Sequence, residues 1–124
     1  MIQVRRSMFE TNSSSTHDFV MCDKSDFDKF KKGQLSMYFG ELDTLKNIKK
    51  KLLENYTDDK DVVNLINSLF DKPRKSKKEL YSEFEVFFDY AIYEDCHEYY
   101  THFVETHKSK SGDEVVAFGY YGNN

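Results

Sequence analysis

Residues 99–121 have the sequence YYTHFVETHKSKSGDEVVAFGYY, in which two extended segments flank a turn. Residues 99–107 alternate without a glycine or proline, and residues 114–121 resume an extended pattern rich in valine and aromatic side chains. Between them, residues 109–113 contain Gly112 among side chains that favour turns. Two extended segments joined by a loop of about five residues are typical of a β-hairpin. The sequence therefore predicts two antiparallel strands at the end of the chain.

A second pair of extended segments opens the chain. Residues 2–9 begin with an alternating pattern, and residues 19–22 form a short apolar run of strand length. Residues 11–15 lack a hydrophobic period and are rich in side chains that hydrogen-bond their own backbone, which is typical of a loop. We therefore expect a looped pair of strands here.

The middle of the chain has helical patterns. Residues 43–56 and 59–70 carry apolar side chains at helical spacing, and Pro73 ends the second segment. A third apolar stripe over residues 79–92 follows a capping-box pattern, and a shorter helix is expected over residues 25–33.

These patterns predict a single α+β domain spanning residues 1–124. A chain of this length forms one domain and buries about two-thirds of its unfolded surface. We expect a small antiparallel sheet built from both chain ends, packed against three or four helices from the middle. Residues 35–39 alternate well enough to add a short strand.

The composition indicates a folded protein of a reducing compartment. Eleven Phe and nine Tyr supply much of the apolar surface, whereas disordered chains are poor in aromatic residues. Cys22 and Cys96 are too few for a disulfide framework. No apolar run approaches the roughly 20 residues that span a bilayer. We expect a cytoplasmic protein with reduced thiols and no membrane partner.

Charge is distributed unevenly along the chain. Residues 1–78 contain 16 Lys or Arg against 12 Asp or Glu, whereas residues 79–124 contain 2 against 10. The acidic half is either a solvated face or a surface that docks on a basic partner, such as a nucleic-acid-binding effector. Direct binding to nucleic acid is disfavoured by this balance. The partner-binding candidates are Glu83, Glu85, Asp89, Glu94, Asp95, Glu98, Tyr99, Tyr100, Tyr120 and Tyr121.

Every side chain in residues 10–17 can hydrogen-bond, and two arginines precede this segment. Hydroxyls, backbone N–H groups and a nearby guanidinium bind oxyanions, so a phosphate-bearing small molecule is the expected ligand. Neighbouring residues on a regular strand point to opposite faces, so at most one of the two arginines is expected to serve. The ligand-binding candidates are Arg5, Arg6, Asn12, Ser13, Ser14, Ser15, Thr16 and His17.

A catalytic role for the same segment is an alternative. His17 would act as a base toward a hydroxyl such as that of Ser14, with Glu10 orienting the imidazole ring. Neither a nucleophile-elbow pattern nor a phosphate-binding P-loop is present in the sequence. A structural role in local turns, or recognition of a protein, would also account for these residues.

The histidines do not form a metal pattern. Cys96 and His97, with His102 and His107, lack the two close ligand pairs of a structural zinc site, and alternation places the last two on opposite faces of a strand. We expect no metal and no cofactor. The basic segment 72–78 has no interleaved aromatic residue and is typical of a solvated linker.

The segment RRSMFETNSSSTH, residues 5–17, resembles the opening of a group of small proteins from phages, plasmids and genomes of low-GC Gram-positive bacteria. These share an N-terminal arginine, a Phe-Glu-Thr-Asn-Ser-Ser-Ser run and a histidine. The ending VVAFGYYG, residues 115–122, is similar to a second part of the same pattern. The resemblance implies a mobile-element origin and a place of action in the bacterial host, and it carries over no catalytic residues.

Together these observations predict a phage-type interaction protein rather than an enzyme. We expect it to bind and inhibit a host protein, such as an effector of CRISPR-Cas or another defence system, through an acidic face that mimics nucleic acid. The alternative is a protein that binds or hydrolyses a phosphate or nucleotide with the Arg/Ser-rich loop.

Overall fold

The computed structural model describes the backbone of residues 3–9, 15–72 and 78–123, and the side chains of residues 19–72 and 78–122. Within these ranges the chain forms seven strands and five helices. In chain order they are β1 Gln3–Phe9, β2 Ser15–Asp23, α1 Lys24–Lys31, β3 Ser36–Tyr38, β4 Glu41–Asp43, α2 Leu45–Asn55, α3 Lys60–Phe70, α4 Lys78–Phe84, β5 Val86–Phe87, α5 Tyr90–Cys96, β6 Thr101–Lys108 and β7 Glu114–Asn123.

Four strands from the two chain ends form one antiparallel sheet, in the order β1-β2-β7-β6, which we call the terminal sheet. Strands β2 and β7 pair along their whole length, from Ser15 opposite Asn123 to Asp23 opposite Val115. The α+β class and the sheet built from both ends are confirmed. No helix in the described ranges is long and apolar enough to cross a bilayer.

A second, smaller sheet has the order β4-β3-β5 and was not expected as a separate unit; we call it the inner sheet. Strands β3 and β4 are joined by Phe39 and Gly40, whose φ angles are 53° and 74°. Positive φ at both central residues is the geometry of a type I′ hairpin turn, which closes β3 directly onto β4.

The inner sheet separates two hydrophobic cores, because its side chains alternate between its two faces. Met37 and Phe87, which pair across β3 and β5, belong to the core shared with the terminal sheet, α1 and α5. The next pair along, Tyr38 and Val86, faces the core formed with α2, α3 and α4. The aromatic side chains therefore divide between two packing layers.

The expectation of one helix over residues 79–92 is wrong. Helix α4 ends where Glu85 takes a left-handed φ of 58°, and β5 then pairs with β3. A new helix starts after Asp89, whose Oδ1 accepts a hydrogen bond from the N–H of Ile92 at 3.0 Å. The middle and end of the chain thus supply five helices instead of three or four.

Two helix starts also differ from the expected positions. Helix α1 begins at Lys24, with Asp23 as the N-cap residue, instead of at Ser25. In α2 the N-cap is Thr44, whose hydroxyl accepts from the N–H of Asn47 at 3.2 Å, while Asp43, where the helical segment was expected to begin, accepts from the N–H of Thr44. Both shifts are of one or two residues and leave the buried faces of the helices in place.

Candidate functional site

The N-terminal candidates fall mostly outside the residues that the structure describes. Residues 10–14, which include Glu10, Asn12, Ser13 and Ser14, are not described, and for the remaining candidates of this segment only the backbone is. Both the phosphate-binding and the catalytic hypotheses for the Ser-rich segment therefore stay predictions.

The backbone around the two arginines departs from a regular strand. Pairing between β1 and β2 changes register between Val4 and Ser7, so Arg5 and Arg6 together stand opposite Val20 in a β-bulge. The expectation that at most one of the two arginines binds the ligand assumes a regular strand. A β-bulge interrupts that regular alternation here.

The two segments that carry the family resemblance lie side by side. His17, at the end of the N-terminal signature, pairs with Tyr121 of the C-terminal segment on one side and with Phe9 on the other. Because β2 and β7 are neighbours in the terminal sheet, the described residues of the two segments pair within one sheet.

The acidic and tyrosine candidates near the end of α5 are solvent-exposed. We call these five residues the acidic–tyrosine surface: Glu94, Asp95, Glu98, Tyr99 and Tyr100. Tyr99 is 93% exposed, more than any other large hydrophobic side chain described. Exposed single apolar residues are common on proteins, but tyrosine is enriched at protein interfaces, so the fully exposed Tyr99, next in sequence to Glu98, is a candidate contact residue.

Five candidates lie outside this surface. Glu83 on α4 and Glu85 after it are exposed, as is Tyr121 on β7, while Tyr120 is half-buried. Asp89 is 0% exposed, because its carboxylate caps α5 from within the fold. Its expected place on a partner-binding surface is therefore wrong.

Tyr100 connects this surface to the interior. Its ring centroid lies 4.8 Å from that of Tyr120, and Tyr120 stacks on His97 at 4.2 Å with an interplanar angle of 18°. A Cβ atom at Gly122 would lie 2.7 Å from the Tyr100 ring, so the absence of a side chain there lets the ring rest against β7.

Beneath these rings is a pocket of about 240 Å³ between the two sheets, which we call the aromatic pocket. It is lined by side chains from the β3–β4 turn, α4, β5, the end of α5 and β7. Those that define its chemistry are Phe39, Tyr81, Glu85, Tyr93, His97 and Tyr120.

The rings of the pocket contact one another in a continuous series. Tyr81 stacks on Phe87 at 4.7 Å, and Phe87 meets Tyr93 edge-on at 5.1 Å. Tyr93 in turn lies 4.8 Å from His97. Such contacts between aromatic rings are favourable and stabilise the pocket walls in this arrangement.

Two polar interactions add to this arrangement. Nδ1 of His97 lies 2.8 Å from the carbonyl oxygen of Tyr93, so Nδ1 carries the hydrogen and donates it, which holds the ring in place. Burial raises the pKa of Tyr81, and the nearby Cys96 and Glu85 raise it further, so its phenol stays protonated.

The pocket is also where the backbone is strained. Phe39 and Glu85 are the non-glycine residues with positive φ in the described chain, and both line the aromatic pocket. Left-handed backbone costs such residues roughly 1–2 kcal/mol each. Strain of this kind gathers at binding sites, where the surrounding structure holds it in place.

The cysteines have the properties of structural residues. Burial, with Asp26 and Asp23 nearby, raises the pKa of the Cys22 thiol to about 12. Burial also raises the pKa of Cys96, although Lys78 opposes this. No group of three or more metal-ligating side chains occurs among the described residues.

Comparison of the chain with protein-family models, with curated proteins and with solved structures finds no match. The function must therefore be argued from the site. Sequence patterns missed the aromatic pocket because its residues come from separate elements, and only the count of 20 Phe and Tyr residues hinted at such a cluster.

Proposed function

We propose that this protein is a small phage-type interaction protein that binds a basic host protein through the acidic–tyrosine surface and inhibits it. The observation that carries the proposal is the 93% exposure of Tyr99 beside exposed Glu94, Asp95 and Glu98. Residues 79–107 contain no Lys or Arg, so no basic side chain within this segment offsets the carboxylates.

The surface combines an apolar anchor with steering charge. Burying an aromatic side chain contributes roughly 1.5–3 kcal/mol, so Tyr99 is suited to be an anchor residue. The surrounding carboxylates attract a positively charged partner and raise its association rate, mainly at low ionic strength.

The surface is also supported from behind. Helix α5 is capped by buried Asp89, and Tyr100 rests on Tyr120, which stacks on His97. The packing of Tyr100 and the cap of α5 restrict the backbone on either side of the surface, and a restricted backbone loses less entropy on binding than a mobile one.

The partner that fits this chemistry is a nucleic-acid-binding effector, and we propose an effector of a host defence system such as CRISPR-Cas. Its basic channel would accept a row of carboxylates in place of phosphates. The resemblance of residues 5–17 to proteins of mobile elements supports a target in the bacterial host.

The test is a pull-down from host lysate, followed by affinity measurements on the recovered protein at several salt concentrations. We expect Tyr99→Ala to weaken binding about tenfold or more. The triple change of Glu94, Asp95 and Glu98 to their amides should reduce the salt dependence. Glu54→Gln, an exposed carboxylate on α2, is the matched control and should change neither. Recovery of no stoichiometric partner by the folded protein would contradict the proposal.

A second proposal is that the Arg/Ser-rich segment binds a phosphate or nucleotide. The bulge at Arg5 and Arg6 favours it, because bulges re-aim side chains and gather beside functional sites. Nucleotides and cyclic dinucleotides should then raise the melting temperature of the wild type and not that of a variant with both arginines changed to glutamine.

A further inference from the structure

We infer that the aromatic pocket receives the guanidinium group of an arginine side chain presented by the protein partner. This inference rests on the proposed function and adds the group that the partner inserts. It follows from the ring content, charge, size and position of the pocket.

The pocket offers partly exposed aromatic rings and a carboxylate together. Tyr81 and Tyr120 line it and are half-buried, whereas Tyr93, which also lines it, is only 3% exposed; Glu85 is exposed. A cation above an aromatic face is attracted by the electrons of the ring, and the planar guanidinium also stacks on it. A nearby carboxylate adds an ion pair with two parallel hydrogen bonds.

The charge of the pocket argues against an anionic ligand. None of the residues that the structure places around it, in the part of the chain described, is Lys or Arg. A phosphate group would meet Glu85 with no cation to neutralise it, so a nucleotide fits poorly. A neutral heterocycle would use the rings but leave the carboxylate unused.

The size of the pocket suits one side chain. Its volume of about 240 Å³ is below the roughly 300–1,000 Å³ of pockets that hold drug-sized ligands. Phe39 lines it and is 74% exposed, with its ring centroid 4.5 Å from that of Tyr38, so its ring is accessible from solvent.

The pocket is continuous with the acidic–tyrosine surface. Tyr120 and His97 line the pocket. The ring centroid of Tyr100, which belongs to the surface, lies 4.8 Å from that of Tyr120 and 6.4 Å from that of His97. A basic partner bound at the surface would therefore hold its own side chains near the pocket entrance.

The test titrates N-acetyl-arginine methylamide, the probe, into isotope-labelled protein and monitors binding by NMR. The titration is done at pH 8, where imidazole side chains are ordinarily neutral. N-acetyl-citrulline methylamide has nearly the same shape without the charge and is the control ligand. We expect the arginine probe to shift the amides of Gly40, Glu85 and His97, and the citrulline probe to bind about 3- to 30-fold more weakly.

Matched variants locate the interaction. Glu85→Gln should weaken binding of the arginine probe by about 3- to 30-fold, because it removes the carboxylate and keeps the shape. Glu83→Gln, an exposed carboxylate on α4 outside the pocket, should leave the affinity unchanged. Equal binding of both probes, tighter binding of adenosine, or no effect of Glu85→Gln would overturn the inference.

The outcome is separable from that of the proposed function. Arginine binding that depends on Glu85 supports the pocket assignment whether or not a lysate yields a partner. A partner that needs Tyr99 but binds Glu85→Gln as tightly as the wild type would overturn the inference and leave the surface proposal standing.

Discussion

Replacing Glu85 with glycine tests whether strain is stored at the aromatic pocket. The Glu85 backbone has φ 58° and its N–H donates to the Tyr81 carbonyl at 2.9 Å, the geometry of a left-handed helix C-cap. Glycine adopts this conformation without the steric cost of a Cβ atom, about 1–2 kcal/mol. It also makes the unfolded chain more flexible, which costs roughly 0.4–1 kcal/mol.

The net expectation is that Glu85→Gly raises the free energy of unfolding by about 0.5–1 kcal/mol. For a domain of this size, the melting temperature should rise by roughly 2–4 °C. The same variant should lose affinity for the arginine probe, because it lacks the carboxylate. Urea denaturation monitored by circular dichroism measures the change in stability, and the NMR titration measures the change in affinity.

Glu83→Gly is the control, because it places the same substitution two residues earlier, inside α4. Glycine in a helix costs about 0.5–1 kcal/mol, so this variant should be less stable than the wild type. If both variants lose stability equally, the left-handed conformation at Glu85 stores no strain. If Glu85→Gly keeps full affinity for the arginine probe, the charge argument for the pocket fails.

Three further outcomes concern Asp89, Cys22 and Asp43. Asp89→Ala should lower the free energy of unfolding by about 2 kcal/mol, because it removes the cap of α5 and leaves the Ile92 N–H buried without that acceptor. Asp89→Asn keeps an oxygen acceptor and should lower the free energy of unfolding by less. Urea denaturation of the two variants measures the difference. Cys22, with a pKa of about 12 against an ordinary 9.0, should react with iodoacetamide at pH 8 roughly a thousandfold more slowly than in urea-unfolded protein; equal rates would contradict its burial. Although burial alone would raise it, the pKa of Asp43 is lowered by hydrogen bonds from Asn47 and Thr44 and by Lys51. Its contribution to stability is thus present above the unfolded pKa and lost as pH falls through the lowered folded value, so Asp43→Asn should flatten the acid side of a stability–pH curve.

Local patterns were sufficient for most of the secondary structure. Residues 99–121 form the predicted hairpin of β6 and β7, because alternation and a glycine-containing turn are properties of neighbouring residues. Helices α2 and α3 also lie where the spacing of apolar residues placed them, within two residues at each end. Tyr99, Glu94 and Asp95 are exposed, and their role in an acidic binding face stays a prediction.

Long-range contacts decided what the patterns could not. The apolar stripe of residues 79–92 is compatible with one long helix and also with two short helices separated by a strand. The pairing of β5 with β3 selects the two helices and the strand. That break turns Asp89 inward as a cap and places Glu85 at the aromatic pocket.

The amino-acid sequence alone was sufficient for the α+β class, the strand segments of the terminal sheet and the acidic half of the chain. Each of these depends on spacing or charge within a short segment, so no distant residue is needed to specify it. The pairing of β2 with β7 joins opposite ends of the chain and depends on tertiary contacts, as do the division into two cores and the existence of the aromatic pocket. The pocket is built by rings from five separate elements, and its strained residues are stable only because the packed neighbours hold them.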